Sequence, residues 1–229
     1  MPKKSKLPDK ILCLPNADKG FHEKWEKGRN LLNIPHPFRA ILAARPNCGK
    51  TTIVKNLIVR ADPPYEAIKV IHGDADYTKE YEDLGDEVEM LNEIPLPDQF
   101  EGKVKTLVII DDLELKTLSK IQQKALDRLF GYVSTHKNIS VCLCSQDGFN
   151  IPPIVRRCSN LFILWKGNDL DSMARLARKA GLKKDELLDL FKEFCKSYHD
   201  SIWIDMTPET PAPFRLNGYN ILDVKTNNI

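Results

Sequence analysis

Short, unbroken apolar runs alternate along this chain with stretches in which apolar residues recur every three or four positions. One strand-like apolar run begins the stretch 38–52. Others lie at residues 67–72, 107–110, 138–146, 160–165 and 201–205. Helix-like spacing follows at residues 51–60, 116–132, 170–180 and 184–197, and a short helix is predicted at 151–158. Strands that are apolar on both faces are typical of a buried parallel sheet. The pattern therefore predicts an α/β fold with a central, mostly parallel sheet and helices on both of its faces.

The chain has the length of one domain with short extensions. Its 229 residues suffice for one full α/β core. Residues 1–20 are basic and rich in lysine and proline, which predicts an N-terminal arm that is either solvated or in contact with DNA. The main domain is predicted over residues 21–207, and Phe21 and Trp25 are expected to pack on the edge of its core. Residues 208–229 are predicted to form a Pro-rich C-terminal tail.

The stretch 38–52 carries the clearest candidate site. It reads FRAILAARPNCGKTT, an apolar run and a tight turn before a predicted helix. The N–H groups of such a turn and the positive end of the helix bind a polyphosphate, while a lysine reaches the terminal phosphates and a threonine hydroxyl ligates Mg²⁺. The usual pattern is G-x-x-x-x-G-K-[ST], and here Ala44 replaces its first glycine. We predict a nucleotide-binding loop made of Arg45, Pro46, Asn47, Cys48, Gly49, Lys50, Thr51 and Thr52.

A second motif supports a nucleotide site. The apolar run 107–110 ends in two carboxylates, Asp111 and Asp112, and Glu114 follows. A buried strand that delivers acids beside a phosphate loop suits a Mg²⁺-nucleotide site with a hydrolytic base. The two motifs together predict nucleotide hydrolysis.

Polar residues that follow later strands are candidates for the same site. Ligands of a parallel sheet lie at the C-terminal ends of its strands, so Lys50, Asp111 and Gln146 are expected at one edge. Gln146 either senses the γ-phosphate, or places the attacking water, or caps the strand edge. Arg156 and Arg157 either form a surface ion pair or structural anchor, or reach as an arginine finger into a nucleotide site of a neighbouring subunit.

Composition restricts the class of protein and of partner. No apolar run approaches the roughly 20 residues that a membrane span needs, and the N-terminus lacks the apolar core of a signal peptide, so we expect an intracellular protein. The six cysteines contain no C-x-x-C pair, and we expect free thiols. The formal net charge is only +2, so any DNA contact has to come from a local patch.

One such patch is predicted on the helix at 116–132. Its core face is predicted to carry Leu118, Ile121, Ala125 and Leu129. Opposite that face, basic residues recur at every fourth position. They form either a solvated face or a contact with a DNA backbone or an acidic neighbouring subunit. The basic residues are Lys116, Lys120, Lys124 and Arg128.

With these motifs in order, the chain resembles the genome-packaging ATPases of the FtsK-HerA superfamily, in particular the small forms from virophages, Polinton-like viruses and poxvirus-type viruses. The resemblance covers residues 37–205. It rests on the phosphate loop, the paired acids, the segment STHKNIS at 134–140, the strand ending in Gln146, and the following arginines. It implies a P-loop fold of the ASCE type and a homo-oligomeric ring that hydrolyses ATP to push double-stranded DNA into a preformed capsid.

The resemblance also implies roles for individual residues. Lys50 and Thr51 would bind phosphate and Mg²⁺, Asp111 would hold the Mg²⁺ shell, and Gln146 matches the sensor. Asp112 stands where the family commonly has a catalytic glutamate, so Glu114 is a rival base. The arginine at 156 or 157 matches the one that family members offer in trans. A capsid or portal vertex protein is the implied further partner, and the host cytoplasm, at a virus factory, is the implied location, with association with the virion as a second possibility.

Two other functions share parts of these motifs. A nucleotide or small-molecule kinase has the same loop, but adjacent acids and a Gln-tipped strand favour activation of water over activation of an acceptor hydroxyl. A nucleotide-gated assembly scaffold would bind ATP without significant turnover.

Overall fold

The computed structural model describes residues 29–85, 88–167 and 169–224. In chain order its strands are β1 (Arg39–Ala43), β2 (Ala67–His72), β3 (Val88–Leu91), β4 (Thr106–Asp111), β5 (Ile139–Ser145), β6 (Leu161–Trp165), β7 (Ser201–Asp205), β8 (Phe214–Leu216) and β9 (Asn220–Ile221). Its helices are α1 (Lys50–Val59), α2 (Lys120–Arg128), α3 (Ser134–His136), α4 (Pro153–Cys158), α5 (Leu170–Ala177) and α6 (Lys184–Phe194). A π-helical turn, Leu129–Val133, joins α2 to α3, and single 3₁₀ turns occur at Glu82–Leu84, Pro97–Gln99 and Arg178–Ala180.

Within the described residues the nine strands form one sheet in the order β3-β2-β4-β5-β1-β6-β7-β8-β9. The strands from β3 to β6 in this order are parallel, and β7, β8 and β9 continue the sheet in antiparallel orientation. The predicted mostly parallel sheet is confirmed. Because β4, β5 and β1 are neighbours and parallel, the loops that follow them emerge at the same edge.

Helices cover both faces of this sheet, as predicted. Every residue of β4 is buried, and successive side chains of a strand point to opposite faces. Ile109 belongs to the apolar cluster that holds Val54 of α1. Ile110 belongs to a second cluster, with Leu126 of α2 and Leu187 of α6. The two clusters are the two sides of the core.

Some sequence predictions need correction. From its sequence the acidic, tyrosine-bearing stretch 74–89 is expected to form a helix and a loop. Its described residues instead hold one 3₁₀ turn, Glu82–Leu84, and the start of β3. The helix predicted from residue 116 begins at Lys120, because the Ser119 hydroxyl caps it by accepting a hydrogen bond from the N–H of Gln122 at 3.2 Å. Ile121, predicted on the core face, lies in the first turn and is 65% exposed.

The division into domains stays a prediction, but the region predicted as a tail supplies two strands of the sheet. Asp205, at the end of β7, is 1% exposed and binds the Arg215 guanidinium of β8 at 3.4 Å and that of Arg29 at 3.2 Å. Thr207 and Thr210 donate hydroxyl hydrogen bonds to the same carboxylate. This buried network ties the chain beyond residue 208 to the core. The predicted arm and the residues Phe21 and Trp25 lie outside the described residues.

Two further expectations concern cysteines and membranes. The cysteines within the described residues are unpaired: Cys48, Cys142, Cys144, Cys158 and Cys195. In the same part of the chain, no helix combines the length and the apolar character that crossing a bilayer requires.

Candidate active site

The loop between β1 and α1 has the backbone of an anion-binding turn. Asn47 and Gly49 adopt left-handed conformations, with φ of 61° and 98°, and such reversals bring successive N–H groups to one side of a turn. Within the described part of the chain, the N–H groups of residues 47–52 have no hydrogen-bond partner. Ala44 has a negative φ and is 1% exposed, so its backbone does not require the glycine of the usual pattern. The substitution leaves the loop intact.

A cavity of about 430 Å³ lies against this loop, within the size range of small-molecule sites. The Lys50 ammonium, which has no carboxylate partner among the described residues, donates to the carbonyl oxygens of Ala44 at 3.3 Å and Arg45 at 3.1 Å. Predicted residues from the loop and from two further strands line the same cavity. They are Pro46, Asn47, Gly49, Lys50, Thr51, Thr52, Asp111, Asp112 and Gln146.

The two adjacent carboxylates have different environments. Asp111 is 5% exposed, and its Oδ2 accepts a hydrogen bond from the Tyr81 hydroxyl at 2.6 Å. Asp112 is exposed, has a φ of 49°, and its Oδ1 accepts a hydrogen bond from Gln146 Nε2 at 2.9 Å. The first carboxylate is held rigidly, as a metal ligand requires, and the second is accessible to water. The contact from Gln146 joins the predicted sensor to the predicted base.

Glu114 lies apart from the phosphate loop. It lines a neighbouring cavity of about 210 Å³, and Asp112 and Gln146 line both cavities. The exposed Glu114 carboxylate accepts a hydrogen bond from the N–H of Lys116 at 3.2 Å. Of the two rival bases, the geometry brings Asp112 to the loop.

Arg156 and Arg157 do not reach this cavity within their own chain. They line a different one, of about 390 Å³, on the flank of α4 and α5 with Arg175 and Lys179. Burial, followed by the charge of Arg175, lowers the pKa of Arg156, and one of its guanidinium nitrogens is buried without a hydrogen-bond partner among the described residues. Any part that these arginines take in nucleotide chemistry therefore requires another subunit.

Cys48 and Arg45 also lie off the cavity wall. Cys48 is 1% exposed and packs in the core beneath the loop, and Arg45 is half-buried. Their predicted contribution to binding is restricted to their backbone groups.

Two further residues line this cavity without having been predicted from the sequence. Glu80 lines the cavity and accepts a hydrogen bond from the Thr51 hydroxyl at 3.3 Å, next to the buried Tyr81. His199, which precedes β7, also lines the cavity. No local motif marks these residues, because long-range folding brings them to the loop.

The donor set fits Mg²⁺ bound together with a nucleotide. Mg²⁺ usually takes one or two protein ligands and completes its shell with phosphate oxygens and water. The Thr51 hydroxyl and the Asp111 carboxylate both line the cavity and suit that role. Within the described residues, no group of three or more His, Cys, Asp or Glu side chains forms a metal site of its own.

Solved structures of the same fold are known. The genome-packaging NTPase B204 from Sulfolobus turreted icosahedral virus 2, solved with AMPPCP, matches at a TM-score of 0.55 and 16% identity, over 82% of this chain and 99% of that one. B204 from Sulfolobus turreted icosahedral virus, the DNA-packaging ATPase, matches at a TM-score of 0.55 and 15% identity. The match covers 77% of this chain and 95% of that one. The chain has the fold of the P-loop ATPases.

The same fold occurs outside viruses. The pCW3 conjugation coupling protein TcpA, solved with ATPγS, matches at a TM-score of 0.53 and 13% identity, over 76% of this chain and 59% of that one. No family model matches the sequence, and no curated protein is similar to it in sequence. Structural likeness at these identities establishes the α/β P-loop fold.

Proposed function

We propose that this protein is an ATP-driven double-stranded DNA translocase that packages a viral genome into a preformed capsid. One observation carries the nucleotide chemistry: Lys50, Thr51, Asp111, Asp112 and Gln146 all line one cavity at the C-terminal edge of the sheet. The motor function rests in addition on the likeness to genome-packaging NTPases in fold and on the ordered motifs of the sequence.

The reaction is attack of water on the γ-phosphate of ATP, which yields ADP and phosphate. The loop amides and the Lys50 ammonium bind the phosphates and offset the charge that develops on them. Mg²⁺, held by the Thr51 hydroxyl and the Asp111 carboxylate, would supply further positive charge that offsets the charge developing on the phosphates. Asp112 takes the proton of the attacking water, and Gln146, bonded to Asp112 at 2.9 Å, orients that water.

Complete sites require a ring of subunits. Since Arg156 and Arg157 lie away from the cavity of their own chain, we propose that one of them acts in a neighbour's site. Mixing Arg157→Ala subunits with wild type then lowers turnover more steeply than the fraction of variant added. A strictly linear loss with dose contradicts a role in trans.

DNA contact and the remaining partners belong to the same proposal. The basic side chains at residues 116, 120, 124 and 128 are all exposed and supply a surface for a DNA backbone. A capsid or portal vertex protein is the proposed docking partner, in the host cytoplasm.

The test is ATP turnover against protein concentration, with and without double-stranded DNA, for wild type and Lys50→Ala. We expect turnover that rises cooperatively with concentration, increases with DNA, and is lost in the variant. Slow turnover unaffected by DNA or concentration would instead support a nucleotide-gated scaffold. Phosphorylated nucleosides without DNA-dependent phosphate release would support a kinase. Either result contradicts the proposal.

A further inference from the structure

The segment between α6 and β7 lies directly against the phosphate loop. The Tyr198 hydroxyl donates to the carbonyl oxygen of Pro46 at 2.8 Å, and His199 Nδ1 lies 3.3 Å from that of Cys48. A carbonyl oxygen only accepts, so Nδ1 carries the proton in this contact. The Trp165 indole N–H in turn donates to the His199 carbonyl oxygen at 3.1 Å. The segment thus binds two carbonyl groups of the loop.

This segment is itself well fixed. The Asp200 carboxylate accepts hydrogen bonds from the N–H groups of Lys196 at 2.8 Å and Ser197 at 2.7 Å. It also accepts one from the Asn217 amide at 2.9 Å. A segment held at both ends presents its side chains in a defined position, which lowers the entropic cost of binding a ligand.

Two aromatic rings of this segment are open to solvent beside the cavity. Tyr198 is 52% exposed, and its ring meets that of His199 edge to face, with centroids 5.6 Å apart. His199 is exposed and lines the cavity. Exposed aromatic faces beside a ligand cavity are stacking surfaces for a planar ligand.

The sheet order puts these rings on the opposite side of the loop from the carboxylates. The loop follows β1; Asp111 ends β4 and Gln146 follows β5 on one side, whereas His199 precedes β7 beyond β6 on the other. A nucleoside triphosphate whose terminal phosphate lies at the carboxylates has its nucleoside at the far end of the phosphate chain. The nucleoside therefore lies on the side of the loop where His199 is found.

We propose that Tyr198 and His199 form a nucleobase subsite that stacks on the base of the bound nucleotide. The inference rests on the proposed nucleotide binding and adds its base-recognition element. Stacking uses the π-face that every base has, so the subsite selects a planar ring and discriminates weakly between bases. We therefore expect the affinities for ATP and GTP to be of the same order of magnitude.

The test compares two probes by calorimetry on the full chain: ATP, which has a base, and inorganic tripolyphosphate, which has none. Tyr198→Ala and His199→Ala are expected to weaken ATP binding by about 5- to 100-fold. Binding of tripolyphosphate should stay unchanged. Tyr198→Phe keeps the ring and loses only the bond to Pro46, so it should retain ATP affinity.

Two control variants complete the design. Tyr132 is another exposed tyrosine: it is 56% exposed, stacks on His136, and does not line the cavity. Tyr132→Ala should change the affinity for neither probe. Lys50→Ala should weaken both probes. Equal losses for ATP and tripolyphosphate in Tyr198→Ala and His199→Ala, or no loss for either, overturn the subsite while phosphate binding stands. Wild type that binds neither probe overturns the proposed function itself.

Discussion

The hydroxyl of Tyr81 offers the sharpest perturbation of the site, because Tyr81→Phe removes one oxygen and keeps the ring. Tyr81 is 2% exposed, and the Asp111 carboxylate that accepts its hydrogen bond at 2.6 Å is 5% exposed. Burial raises the pKa of Tyr81 far above its usual value, so the hydroxyl is a donor at neutral pH. The variant therefore deletes a hydrogen bond between a neutral donor and a buried charge.

The loss of stability expected for Tyr81→Phe follows from this geometry. A hydrogen bond to a charged group contributes about 1.5–3 kcal/mol to stability, and the N–H of Asp112, 3.1 Å from Asp111 Oδ1, remains as a partner in the variant. We expect the free energy of unfolding to fall by about 2 kcal/mol. Loss of a residue that orients a metal ligand weakens metal affinity by about 10-fold or more, so Mg²⁺-dependent ATP binding should weaken by that factor.

Urea unfolding followed by tryptophan fluorescence measures the first effect, since Trp165 and Trp203 are each 1% exposed. The same change is made in an Asp111→Ala background, where the hydroxyl has lost its acceptor and Tyr81→Phe should cost less than about 0.5 kcal/mol. Equal losses in the two backgrounds refute the assigned contact. A Mg²⁺ titration of ATP binding measures the second effect, and an unchanged midpoint in Tyr81→Phe refutes the link to the metal.

Three other predictions concern the base, pH and the buried network. In a phosphate-release assay, Asp112→Asn should lower the rate of ATP hydrolysis by about 100-fold or more and keep ATP binding, while Glu114→Gln should hydrolyse ATP normally. The reverse pattern would make Glu114 the base. Burial, followed by a nearby lysine, lowers the pKa of His36 to about 4, whereas the unfolded side chain titrates near 6.5. Unfolding then takes up a proton, so the free energy of unfolding should fall by up to about 3 kcal/mol as the pH drops from 6.5 towards 4. His36→Gln should flatten that dependence in urea titrations, and an unchanged slope contradicts the assignment. Asp205→Ala removes the carboxylate that binds two arginines and should lower the free energy of unfolding by about 3–5 kcal/mol. The control Asp189→Ala, at an exposed ion pair, should lower it by less than about 1 kcal/mol. Similar melting temperatures for the two variants would count against the network.

The part of the site that is contiguous in sequence could be predicted from the sequence. The loop from residue 44 to residue 52 and the two acids at the end of β4 are local patterns. The parallel sheet that joins them follows from strands that are apolar without alternation. Gln146 could be placed at the same edge because it follows a predicted parallel strand, and that strand, β5, lies between β4 and β1 in the structure.

The rest of the site depends on folding over long distances. Tyr81 contacts Asp111 and Tyr198 contacts Pro46, pairs that are 30 and 152 residues apart and carry no shared local signal. β3 was missed because its four residues follow an acidic, tyrosine-bearing stretch, and β8 because prolines precede it. Prolines restrict their own positions and the residue before each of them, so a sheet can resume directly after them.

Triplex displacement measures the proposed ATP-driven movement of this protein along double-stranded DNA. A labelled third strand is annealed to a duplex, and its release is followed after ATP is added to wild type or Lys50→Ala. We expect ATP-dependent release by wild type, none by the variant, and none when ATP is replaced by a non-hydrolysable analogue. Hydrolysis of ATP by wild type without release of the third strand would contradict it.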